Sequence, residues 1–120
     1  MVFQIGNHLI CANIGDSKAI MVTSNDEIVQ LNREHKPELP EEKKRIESKG
    51  GEVLQYEEDG IKSGPFRVWK KNEMYPGIAM SRSIGDSIAI KLGVISRPEI
   101  IGKKINDGET KFIILVSDGV

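Results

Sequence analysis

Two aspartates stand where a strand-like apolar run gives way to a turn. Asp118 lies in Ser-Asp-Gly after FIILV, and Asp16 lies in Gly-Asp-Ser after ICANI. A carboxylate at the end of a buried strand is held at the rim of a sheet, and oxygen donors of that kind suit Mg2+ or Mn2+. Both tripeptides are also ordinary turn chemistry, in which Asp and Ser satisfy nearby backbone groups. On the tripeptides alone the turn is the simpler reading. Sequence spacing does not bring the two carboxylates together.

The heptad around Asp16, IGDSKAI, recurs with one change as IGDSIAI around Asp86. The flanks share almost nothing, so the pair is not a duplication. Asp86 precedes the short apolar segment SIAIKL, with Lys91 in the last turn and Gly93 after it. That order predicts a short helix with Asp86 capping its first N–H groups. Arg82, four residues earlier, could pair with Asp86, and its simplest role is that of a buried structural arginine. Trp69 sits among cations in RVWKK. The bland reading packs the indole and leaves the lysines solvated; the alternative places Trp69 on the rim of a substrate groove.

Several chemistries are excluded. The two histidines, His8 and His35, have no neighbouring Cys or His, so a zinc site of the usual N/S type is not expected. The single cysteine, Cys11, lies in the apolar run HLICANI and reads as a small buried side chain, with no intrachain disulfide available. No P-loop or nucleophile elbow is present. A formal charge of −1, from 17 basic and 18 acidic side chains, gives no electrostatic reason to expect nucleic acid or an anionic membrane as partner. No run approaches the length of a membrane helix. The first residues lack the basic region and apolar core of a signal peptide, so the expected location is cytoplasmic or nuclear.

The elements that must position these residues are mostly strands. At 120 residues, 38% hydrophobic and 29% charged, one soluble domain is expected. VFQI and HLICANIG, joined by Gly-Asn, predict a hairpin. KAIMVT and IVQLN follow across a polar turn. LPEEKKRIESKGG is the clearest helix, with Pro40 at the first position, Glu41 and Glu42 in the first turn, Gly50 beyond the end, and Ile46 and Leu39 as anchors. EVLQY predicts a strand, IKSGPFRVWKKNEMYPG an irregular hairpin, and IAMS a short strand. PEIIGKKI and TKFIILVSDG complete a second set; FIILV, apolar throughout, predicts a strand covered on both faces. Strands, helix, strands in that order predict an α+β sandwich.

Taken together these stretches resemble the type 2C, metal-dependent serine/threonine protein phosphatases. ANIGDSKAIM is similar to the family's AN-x-GDSRA, and REHKPELPEEKKRIESKGGEV to its DHKP…E…RI…GG-x-V. GIAMSRSIGD, GVISRPEI and FIILVSDGV match LA-x-SRA-x-GD, V-x-x-P-x and FL-I-L-A-SDG, all in the family's order. The resemblance implies a β-sandwich flanked by α-helices. It also implies hydrolysis of phosphoserine or phosphothreonine in a phosphoprotein substrate by water activated between two Mg2+ or Mn2+ ions. Asp118 matches a ligand of that metal pair, and Asp16 matches an aspartate that helps hold a further, looser metal. Arg82, Asp86 and Gly119 match positions with structural roles.

The departures set the expectations. The family's phosphate-gripping arginine, ED ligand, DGHGG loop, W-D and DN are not among these 120 residues, and Lys18 stands where arginine is usual. Of the core metal ligands only Asp118 transfers. Residues 1–120 therefore read as an incomplete central portion of a phosphatase domain, expected to lack measurable activity alone and to self-associate through strand edges. The competing reading is a non-catalytic pseudophosphatase that keeps the sandwich for docking.

Overall fold

The computed structural model describes residues 1–118. Its elements are β1 (Val2–Ile5), β2 (His8–Asn13), β3 (Lys18–Thr23), β4 (Ile28–Gln30), α1 (Pro40–Ser48), β5 (Gly51–Glu58), β6 (Ile61–Lys70), β7 (Pro76–Ile78), α2 (Ser87–Lys91), β8 (Glu99–Lys104) and β9 (Thr110–Val116). They form two compact units. One is Met1–Glu34 with the chain from Pro98 onward, and the other is His35–Arg97.

The first unit is all β. The Gly6-Asn7 connection sets the register Ile5↔His8, and β2 then pairs β8, giving the antiparallel order β1-β2-β8. A second antiparallel sheet has the order β4-β3-β9. Alternation decides the inner faces: Leu9, Cys11 and Asn13 are buried on β2, and Ala19, Met21 and Thr23 on β3. Leu9, Cys11, Ala19 and Met21 share one core with Leu31 and Ile105, so the two sheets close as a sandwich. Burial of each large side chain there contributes about 1.5–3 kcal/mol.

FIILV departs from expectation. β9 is an edge strand with β3 as its neighbour, and Phe112, Ile114 and Leu115 are 57%, 40% and 54% exposed. Ile113 packs against the core from the inner face, whereas Phe112 and Ile114 alternate to the opposite, exposed face.

The second unit carries both helices. Pro40 opens α1 at its first turn, and Gly50 follows with φ 83°. Ile46 is fully buried, whereas Leu39 is only half-buried. The helix packs on β5 of the sheet β5-β6-β7, and Ile46, Val53, Val68, Ala89, Leu92 and Val94 form the core. β6 is longer than FRVW. It runs through Gly64 and Pro65 because these two residues fall in the register break between Gln55↔Phe66 and Tyr56↔Ser63. A bulge tolerates a residue without an N–H. The short strand expected at IAMS is displaced to Pro76–Ile78, where β7 pairs β6.

The chain is thus α+β: a two-sheet β-sandwich in one unit, and a sheet with its helices in the other.

Candidate functional site

The antiparallel register places the two candidate metal ligands at one rim. Lys18 and Val116 are Cα partners across β3 and β9. Asp16 stands two residues before Lys18 and Asp118 two residues after Val116, so both carboxylates lie past the same end of the strand pair. Asp16 is half-buried and Asp118 exposed.

Two buried asparagines, Asn13 of the ANIGDSKAIM stretch and Asn32, hold the loop in place. Asn13 Nδ2 donates to the carbonyls of Gly15 and Arg33, each at 3.0 Å. Asn32 Oδ1 accepts from the Ala19 N–H at 2.6 Å, and its Nδ2 donates to the Ser17 carbonyl at 2.8 Å. Asn13 and Asn32 are 8% and 5% exposed, so these bonds are sheltered from water. They fix the backbone on both sides of Asp16. Lys18 lies 3.4 Å from Glu34, with the lysine exposed and the carboxylate half-buried, a pair partly screened by solvent.

The donor type at this rim suits Mg2+ or Mn2+, which select carboxylate oxygens. The donor number does not. Among the described residues no group of three or more His, Cys, Asp or Glu gathers where a metal could be held. Two carboxylates alone do not make up a divalent-metal site. Gly119 lies outside the described residues.

The strongest electrostatic constellation is elsewhere. Glu42, fully buried on α1, receives Arg82 Nη2 on Oε1 at 2.6 Å, and Arg45 Nη2 and Ser81 Oγ on Oε2, each at 2.7 Å. Burial alone would raise the Glu42 pKa, but the hydrogen bonds from Arg45, Arg82 and Ser81 outweigh it and hold the carboxyl well below the usual carboxylate range. Arg45 Nε also donates to the Gly93 carbonyl at 2.7 Å, and Arg82 Nη1 to that of Arg97 at 3.1 Å.

This corrects two expectations. Arg82 pairs with Glu42, not with Asp86. Asp86 occupies the N-cap position of α2, but its side chain makes no capping hydrogen bond; at φ −9° and ψ 71° its backbone is outside the β region a capping residue normally adopts. The sequence signal for Glu42 was present in its place in the first turn of α1, which also suits an acid through the helix dipole alone.

Trp69 is half-buried. Its indole N–H donates to the Leu54 carbonyl at 3.0 Å, and its ring lies so close to Gly77 that a Cβ there would be 2.7 Å from it. The same ring borders two clefts, of about 260 and 420 Å3. Cys11 is buried and unbridged, and burial pushes its thiol pKa up, with the N-terminal ammonium opposing weakly, so it is not an activated nucleophile.

Both the sequence and the fold match a known family. The sequence profile described as Protein phosphatase 2C matches residues 1–120, and the chain belongs to that family. It is 42% identical over 121 aligned residues to "Probable protein phosphatase 2C 12" of Oryza sativa subsp. japonica, covering 96% of this chain and 30% of that protein. It is 40% identical to "Probable protein phosphatase 2C 61" of Arabidopsis thaliana, covering 96% of this chain and 35% of that one. The chain therefore spans about a third of the length of these relatives. The crystal structure of a serine-threonine phosphatase 2C from Toxoplasma gondii shares the fold with a TM-score of 0.80, at 22% identity, over 98% of this chain and 40% of that one.

Proposed function

We propose that this chain is the part of a protein serine/threonine phosphatase that contributes Asp118 and Asp16 to a Mg2+ or Mn2+ site acting on phosphoserine or phosphothreonine of a phosphoprotein. The observation that carries the reading is the register Lys18↔Val116, which sets both aspartates past one end of one strand pair. Family membership over residues 1–120 supports the reaction class. Metal ions bound there would lower the pKa of water and offset phosphoryl charge. The chain's own part is to hold two carboxylates at fixed spacing, with Asn13 and Asn32 stiffening the loop that carries one of them.

These 120 residues alone do not hydrolyse phosphopeptides, because two carboxylates are too few to fix a pair of divalent ions at the spacing that activates a shared water. Trp69 borders the substrate groove. Exposed apolar side chains on the edge strand β9 support self-association of the isolated chain. A non-catalytic docking module is the competing reading.

The two separate in a graft. Residues 1–120 replace the matching segment of the rice relative, and Mn2+-dependent release of phosphate from a phosphothreonine peptide is measured. Chelator-sensitive turnover supports the enzyme reading; a folded, inactive graft supports the docking module.

A further inference from the structure

A cleft of about 300 Å3 opens in the second unit beside the C-terminal half of α1. Arg45, Lys49 and Arg97 stand on its rim, with Ile90, Val94 and Ile95 among its apolar lining residues and no carboxylate lining it. Lys49 and Arg97 are exposed, and so is Ile90 at 46%.

The charge behind this rim is unbalanced. Two guanidiniums, Arg45 and Arg82, share the single carboxylate of Glu42. Carbonyls of Ser81, Gly93 and Arg97 accept from them but bring no formal charge. Arg45 is the more open of the two, with 23% of its side chain exposed against 9% for Arg82. The surplus positive charge therefore reaches solvent through Arg45, at the cleft, where Lys49 and Arg97 add two more. The negative end of the α1 dipole at Lys49 offsets a fraction of one charge. Shared positive charge around a low-dielectric concavity attracts an anion and steers its approach.

We infer that this cleft is a docking site for an acidic peptide segment, one with carboxylates flanking a single apolar side chain. The carboxylates meet Lys49, Arg97 and the open edge of Arg45; the apolar side chain covers Ile90 and Ile95, with buried Val94 beneath them. Bare inorganic phosphate would match the rim and leave the apolar surface wet, so the peptide uses both halves of the site. The inference goes beyond the phosphatase reading and needs no catalysis.

The test is fluorescence anisotropy with a fluorescein-labelled Glu-Glu-Leu-Glu-Glu peptide, titrated with the 120-residue chain and separately with the graft in the rice relative. Binding is expected to weaken at least about tenfold for the double variant Lys49→Glu/Arg97→Glu, and about as much when the peptide's glutamates become lysines. Both varied side chains are exposed, so folding is not at stake. Ile90→Ser is expected to weaken binding severalfold while leaving its salt dependence unchanged, since it alters only the apolar half. The inference is overturned if the charge-reversed variant binds within about twofold of the parent. It is equally overturned if the acidic peptide fails to bind at millimolar concentration, or if a phosphoserine peptide binds and the unphosphorylated one does not.

Discussion

Arg82 Nη2 lies 2.6 Å from Glu42 Oε1, across 40 residues of sequence. The bond ties the first turn of α1 to the Ser81-Arg82 segment, and Arg45 closes the same carboxylate from one helical turn away. With Glu42 and Arg82 both buried, the geometry must be satisfied at every polar atom to repay desolvation. Ser81 Oγ and the carbonyls of Ser81, Gly93 and Arg97 supply that satisfaction. The pair organises the second unit.

Glu42→Gln keeps the shape and removes the charge, leaving buried Arg82 and half-buried Arg45 without a counter-ion. Unfolding by urea at neutral pH should show a loss of about 3–5 kcal/mol, as for other broken buried pairs. A loss under about 1 kcal/mol would mean the cluster is solvated in solution.

The same carboxyl sets an acid limb of stability. Its folded pKa is held below the usual range, so the unfolded chain binds the proton more readily. Its contribution is complete above the unfolded Glu value of about 4.3 and is lost as pH falls from there towards the depressed folded pKa. Urea midpoints measured at pH 6 and pH 3 should therefore fall with acid more steeply in the parent than in Glu42→Gln. Parallel pH profiles would contradict this.

Gly93→Ala should destabilise through contact and backbone together. Gly93 has φ 95°, and a Cβ there would lie 2.9 Å from the Ile46 Cα and 3.1 Å from the Arg45 carbonyl oxygen. Overpacking against backbone costs about 1–3 kcal/mol. A thermal midpoint equal to the parent's would show that α1 can move away freely.

Trp69→Ala in the active graft should raise the KM for a phosphothreonine peptide about fivefold with kcat unchanged, the pattern of lost uniform binding. An unchanged KM removes Trp69 from the substrate rim.

Much of this was legible in the sequence, and the gaps have physical causes. The Gly-Asn hairpin, α1 and the strand ends at Asp16 and Asp118 follow from local turn chemistry and periodicity, which neighbouring residues decide. Partnership across long spans does not. Arg82 stands four residues from Asp86, yet its partner is Glu42, because a buried arginine takes the carboxylate that is buried with it. Asn13 falls within the ANIGDSKAIM match and Asn32 carries no signal, but only the hydrogen bonds of the fold show both bracing the Asp16 loop. FIILV is apolar at every position, but composition cannot say what covers a strand, and on β9 three of those side chains remain exposed. Pro65 reads as a strand breaker until the bulge opposite Gln55 and Tyr56 accommodates it.

The central claim is that Asp118 and Asp16 belong to one metal site of a phosphatase. Its most direct test is Mn2+-dependent phosphothreonine-peptide hydrolysis by the graft, compared with Asp118→Asn and Asp16→Asn in the same background and with the isolated 120 residues. The account predicts turnover in the graft that a chelator abolishes, and none in the isolated chain. It also predicts a loss for Asp118→Asn beyond the roughly 10–100-fold typical of an outer partner, and a smaller loss for Asp16→Asn that added Mn2+ partly restores. Full activity in the Asp118→Asn graft, or chelator-sensitive hydrolysis by the isolated chain, would contradict it.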